Sequence, residues 1–169
     1  MSPSEETPAE QRAGWAAGEE IAAWRPYNRE VYWNAFATGR RAILTHEDTT
    51  YADWVGARVD LHLICASREA FNRFWLHEVE PAYMPRNWLR WAADTVQEDM
   101  KVTNGNPIDA QHASYLPDCD AFLTADKNFV RVLDRIAEQA PAPVGKAHRV
   151  TPAAHNSIVD AIETTLRTL

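Results

Sequence analysis

A chain of 169 residues suits one domain of ordinary size. With 46% hydrophobic residues and seven tryptophans it has the material for a packed core, which excludes general disorder. The net charge of −7 argues against nonspecific binding to nucleic acid, which needs lysine and arginine against phosphate.

No run approaches the ~18–20 apolar residues of a membrane span. The stretch from Met1 to Glu10 is acidic and Pro-rich, the reverse of a secretory leader. The expectation is a cytoplasmic protein with no membrane partner. Residues 1–20 are charged, Ala-rich and without apolar period, and are expected to form a flexible tail. Residues 21–169 are expected to form a single α/β domain.

Residues 21–100 are expected to be mainly helical. Asn28 is placed as the cap of a helix with Val31, Tyr32, Ala35 and Phe36 on one face and Gly39 as its stop. Ala42 to Thr45 is a short apolar run at the length of a strand. Tyr51, Trp54, Val55, Arg58, Leu61 and Cys65 then follow near helical spacing, and Thr50 with Asp53 resembles a capping box. Ser67 opens a helix carrying Ala70, Phe71, Phe74 and Trp75, which must end before Pro81. Pro85 opens the next, with Trp88, Ala92 and Val96 at four-residue steps. Aromatics at this spacing are core rather than a platform for stacking bases.

Residues 101–169 read as helix, strand, helix, strand, helix. Asn106 is the cap, Pro107 the first residue and Asp109 the third residue of a helix running to about Tyr115. Ala121-Phe122-Leu123-Thr124 is a compact strand. Lys127 to Glu138 is a helix burying Phe129, Val132, Leu133 and Ile136. A second strand is placed near Ala147 to Val150, and Thr151-Pro152 opens a final helix carrying Ile158, Ile162, Leu166 and Leu169. Short strands alternating with helices imply a parallel sheet with helices on its faces.

The chemistry concentrates between Asn104 and Leu133. Ligands of open α/β sheets bind outside the carboxyl ends of the strands. Asp126 lies just past such an end, and Asp109 opens the helix that precedes the strand. Two carboxylates converging there repel unless a cation lies between them, and Mg2+ (or Mn2+) suits a site of few carboxylates and retained waters. The alternative for each is a helix-end aspartate, Asp126 as an N-cap and Asp109 in a first turn. Lys127, Arg131 and Arg135 recur every four residues and form a basic stripe, in a region (residues 101–150) whose six basic and six acidic side chains balance. The six histidines have no zinc spacing, and Cys65 and Cys119 have neither disulfide nor zinc spacing. There is no glycine-rich phosphate loop and no nucleophile elbow.

The segment D-A-Q-H-A-S-Y-L-P-D-C-D-A-F-L-T-A-D-K-N-F, from Asp109 to Phe129, resembles the carboxyl-terminal part of PIN-domain nucleases. The resemblance covers about residues 101–152. It matches Asp109 to that family's helix acid, Thr124 to its threonine, and Asp126 to the acid after its strand. Lys146 to Pro152 looks like the family's last strand and final turn.

The resemblance implies a Rossmann-like (PIN-like) parallel sheet of few strands and a Mg-dependent endoribonuclease. Asp109 and Asp126 would be its metal ligands, and Thr124, Lys127 and Arg131 would lie on the substrate side. It further implies an RNA substrate, an antitoxin protein as partner where the chain is the toxin of a toxin–antitoxin pair, and a homodimer. The family's opening strand, ending in aspartate, has no counterpart near this amino terminus, so the expectation is either that it lies upstream in a longer parent chain or that this is a reduced, incomplete PIN domain. For the central acid, Glu47 holds the corresponding strand-to-helix position. Asp48, Asp53, Glu78 and Glu80 are alternatives. A catalytically inactive PIN-like domain, acting as an RNA-binding or protein-interaction module, is the competing expectation.

Overall fold

Phe129, Val132, Leu133 and Ile136 fall at helical steps, and in the structure all four are buried on one face of a single helix. Burial of such side chains contributes about 1.5–3 kcal/mol each, which fixes that helix against its sheet. The computed structural model describes residues 23–34, 59–64, 66–98, 106–151 and 157–169. Its elements divide between two compact units, Met1–Met84 and Pro85–Leu169. The boundary falls inside the stretch whose sequence reads as mainly helical.

In the first unit, α1 is described over residues 23–34, α2 is Leu61–Ile64 and α3 is Arg68–Arg73. Ser67 caps α3 by accepting from the Ala70 N–H, as its position before the apolar run requires. The chain continues as a π-helical turn, Phe74–Glu78, closed by the Val79 N–H donating to the Phe74 carbonyl at 2.9 Å. Pro81 then starts a 3-10 turn, Pro81–Tyr83.

Trp24, Tyr32, Phe71 and Trp75 form an aromatic core. Tyr32 stacks on Trp75 with ring centroids 5.2 Å apart, and Trp24 meets Trp75 edge-on at 5.9 Å. Asn28 does not cap a helix. It lies inside α1, buried, one turn from Trp24 and Tyr32, and its side-chain amide donates to the Trp24 carbonyl at 2.8 Å. An amide that finds a backbone acceptor one turn back is satisfied within a helix, so its capping propensity is not used.

In the second unit, α4 (Pro85–Glu98) buries Trp88, Leu89, Ala92 and Ala93. It packs against α5 (Asn106–Ala113) and α6 (Lys127–Ala137). A 3-10 turn, Leu116–Asp118, leads into β1 (Ala121–Thr124). After α6 comes β2 (Lys146–Arg149), and α7 (Ile158–Leu166) ends the order. β1 and β2 are parallel, with Phe122 opposite Ala147 and Thr124 opposite Arg149.

The fold is thus α/β, mostly helical, with a two-stranded parallel sheet among the described residues. α7 begins later than its sequence suggests. Ser157, in an extended conformation, caps it by accepting from the Asp160 N–H, and Pro152 lies outside the described residues. No described helix is long and apolar enough to cross a membrane.

Candidate metal centre

β1 ends at Thr124, and its hydroxyl accepts a hydrogen bond from the Asp126 N–H at 3.1 Å. That bond fixes the Asp126 backbone two residues beyond the strand. Asp126 Oδ1 in turn accepts from the N–H groups of Asn128 at 2.7 Å and Phe129 at 3.1 Å, capping α6. Such a cap contributes about 1 kcal/mol. The helix dipole stabilises negative charge at this end. Both capping bonds use one oxygen. Among the described residues nothing donates to Oδ2, which remains available to a cation at the carboxyl rim of β1.

Asp109 occupies the first turn of α5 and is half-buried. Its carboxyl is raised above the ordinary value, first by burial and then by the negative charge of Asp126. The His112 imidazole and a contact with Gln97 pull in the other direction. Asp126, seventeen positions further along the chain, lies near enough for its charge to reach Asp109. His112 lies one turn along α5, its ring 6.3 Å from that of Phe122. Phe122 meets Phe129 edge-on at 5.8 Å, so α5, β1 and α6 share one aromatic contact chain beside the two acids.

Gln97, near the end of α4, is the residue at this site that sequence reasoning missed. Its side-chain amide nitrogen reaches Asp109 Oδ2 at 3.5 Å, the outer limit of a hydrogen bond. The residue is only 5% exposed, and its buried carbonyl oxygen has no partner among the described residues. An amide oxygen left so costs about 1–3 kcal/mol.

Lys127 and Arg131 are exposed on α6, and among the described residues neither forms an ion pair. Arg149, exposed at the end of β2 in register with Thr124, adds a guanidinium to the same rim. Glu47, Asp48 and Asp53 lie outside the described residues. Glu78 pairs with Arg73 at 2.9 Å and Glu80 with Arg25 at 3.6 Å, all within the first unit. Among the described residues, no three His, Cys, Asp or Glu side chains come together as a metal-binding group.

Cys119 is half-buried, and burial, Asp118 and Asp120 push its thiol up, which suits an inert cysteine rather than a nucleophile. Asp126 thus lies just past the end of β1, with Asp109 its acidic neighbour and exposed Lys127, Arg131 and Arg149 on α6 and β2. Compared with protein families, with curated proteins and with solved structures, the chain finds no match in any of the three.

Proposed function

We propose that the second unit is a PIN-like, metal-dependent endoribonuclease that hydrolyses RNA phosphodiesters. The observation that carries this reading is the placement of Asp126 just past the end of β1, near enough to Asp109 for its charge to add to the rise that burial gives the Asp109 carboxyl. An acid at the carboxyl end of a parallel strand with a second acid near it would suit Mg2+ or Mn2+, with water and a substrate phosphate completing the shell. The parallel pair β1–β2, joined through α6, supports a Rossmann-like reading of the fold.

Asp109 and Asp126 hold the cation, which when bound supplies positive charge against the charge developing on the scissile phosphate. Thr124 fixes Asp126 through its N–H, and so holds one ligand still while substrate binds. Lys127 and Arg131, on consecutive turns of α6, lie where they can meet the flanking phosphates of a single strand. The reading extends to a toxin restrained by an antitoxin protein, and to a homodimer, as the resemblance of the 101–152 segment implies.

A second reading, an inactive PIN-like module that binds RNA or a protein, is favoured by one observation: no third acid joins the pair among the described residues. Incubating the full chain with single-stranded RNA and Mg2+ or Mn2+ separates the two. Cleavage that EDTA and Asp126→Asn both abolish supports the nuclease. RNA retention without cleavage, in either metal, supports the module.

A further inference from the structure

We propose that Gln97 is the third oxygen ligand of this cation site, a role that rests on the reading of Asp109 and Asp126 as metal ligands. Three observations converge on it. The residue is only 5% exposed, yet among the described residues its carbonyl oxygen meets no donor. Its amide nitrogen faces Asp109 Oδ2 at 3.5 Å, so the head group sits against the carboxylate that would carry the metal. That contact, at the limit of hydrogen-bond length, is the sole hydrogen bond on the amide among the described residues.

The two ends of an amide are nearly the same size and shape and carry opposite polarity. With no cation, the NH2 group must face the Asp109 carboxylate, because oxygen against oxygen would repel. With a cation between Asp109 and Asp126, the preference reverses. Half a turn about the last side-chain bond brings the carbonyl oxygen to the cation, and only one marginal hydrogen bond has to break. An amide oxygen is a hard, neutral donor of the kind that Mg2+ and Mn2+ accept.

Neutrality matters here. Asp109 and Asp126 already repel, and a glutamate at position 97 would add a third charge to the metal-free protein. Glutamine adds a ligand without adding that repulsion.

The test is Mn2+ binding to the full chain, followed by the electron paramagnetic resonance of the free ion. Wild type is compared with Gln97→Met, which keeps volume and removes the oxygen, and with Gln97→Glu, which keeps an oxygen and adds charge. Gln97→Met is expected to weaken Mn2+ by about 10-fold or more, and Gln97→Glu to tighten it. Saturating Mg2+ is expected to move the Gln97 side-chain NH2 resonance of the wild-type protein, assigned by its loss in Gln97→Glu.

Equal Mn2+ affinity in wild type and Gln97→Met overturns the proposal, as does an NH2 resonance that Mg2+ leaves in place. The resonance decides the matter even where Gln97→Met fails to fold. A wild-type protein that binds no Mn2+ at millimolar concentration sinks the metal-site reading itself. Binding that Asp126→Asn abolishes and Gln97→Met leaves intact sinks only the role of Gln97.

Discussion

The Thr124 hydroxyl accepts from the Asp126 N–H at 3.1 Å, so the last residue of β1 holds in place the residue that caps α6. One threonine thereby couples the strand end, the helix start and the proposed metal ligand. Thr124→Val removes the acceptor and keeps the shape, and should lower stability by about 1 kcal/mol, the net worth of one hydrogen bond. Thr124→Ser keeps the acceptor and should stay near wild type. Urea denaturation of both variants checks the pair; equal loss in the two would mean that the methyl group, not the hydroxyl, supports the turn.

Asp126 combines a cap with a charge, and two substitutions separate them. Asp126→Asn retains a carbonyl oxygen for the Asn128 and Phe129 N–H groups, so the fold should survive with stability within about 1 kcal/mol of wild type. Its metal-dependent RNA cleavage should fall to the level of EDTA-treated wild type. Asp126→Ala should lose the cleavage and, in addition, about 0.5–2 kcal/mol of stability. Asp126→Asn that cleaves RNA like wild type would remove this residue from the metal site.

Asp109 gives the pair a pH signature. Burial and Asp126 raise its carboxyl above the ordinary 3.8, so the folded chain holds this proton more tightly than the unfolded chain does. The resulting stabilisation is complete below about 3.8 and disappears as pH rises through the elevated folded value. Above that value the ionised carboxylate is worse placed folded than unfolded. In metal-free buffer at pH 7, Asp109→Asn should therefore melt higher than wild type, and the gap should close in acid. Mg2+ should reverse the order by stabilising wild type alone. Thermal melts across pH 3–8, with and without Mg2+, test both halves.

The local chemistry of residues 106–149 was legible because it is written in short-range rules. An apolar run of strand length set β1 at the residues observed, and Asp126 before Lys127 gave the cap of α6. β2 falls one residue earlier than its hydrophobicity suggests, starting at exposed Lys146, because strand pairing is a backbone matter and Lys146 pairs with Ala121. Asn28 reads as a cap because a buried amide one turn from Trp24 looks, in sequence, the same as one. Gln97 left no signal at all. A polar residue on an amphipathic helix reads as solvent-facing until the packing of α4 on α5 turns it toward Asp109. Glu47, the position chosen for a central acid, lies outside the described residues.

Gly145 marks where the loop after α6 returns to the sheet. Its N–H donates to the Leu116 carbonyl at 2.8 Å, and a methyl group on it would run into the Cys119 carbonyl oxygen and stand 2.9 Å from Sγ. Backbone cannot step aside as a flexible side chain does. Gly145→Ala should destabilise by about 1–3 kcal/mol through overpacking. Denaturant unfolding measures it. A neutral effect would show that the approach of β2 to the Leu116–Asp118 turn tolerates more room than the geometry gives.

Lys127 and Arg131 offer the last check, on substrate rather than metal. Both are exposed, one turn apart on α6, and Lys127 follows directly after the capping Asp126. A chain of net charge −7 gains little from general attraction to RNA, so a local pair of cations must supply the phosphate contacts. Binding of single-stranded RNA by the cleavage-silent Asp126→Asn protein should weaken steeply with salt. Replacing Lys127 or Arg131 by alanine should reduce the slope of log affinity against log salt by about 0.7 each, one phosphate contact apiece. Fluorescence anisotropy across a salt series reads the slope. Slopes unchanged in both variants would move the RNA path away from α6, with Arg149 at the end of β2 as the next residue to replace.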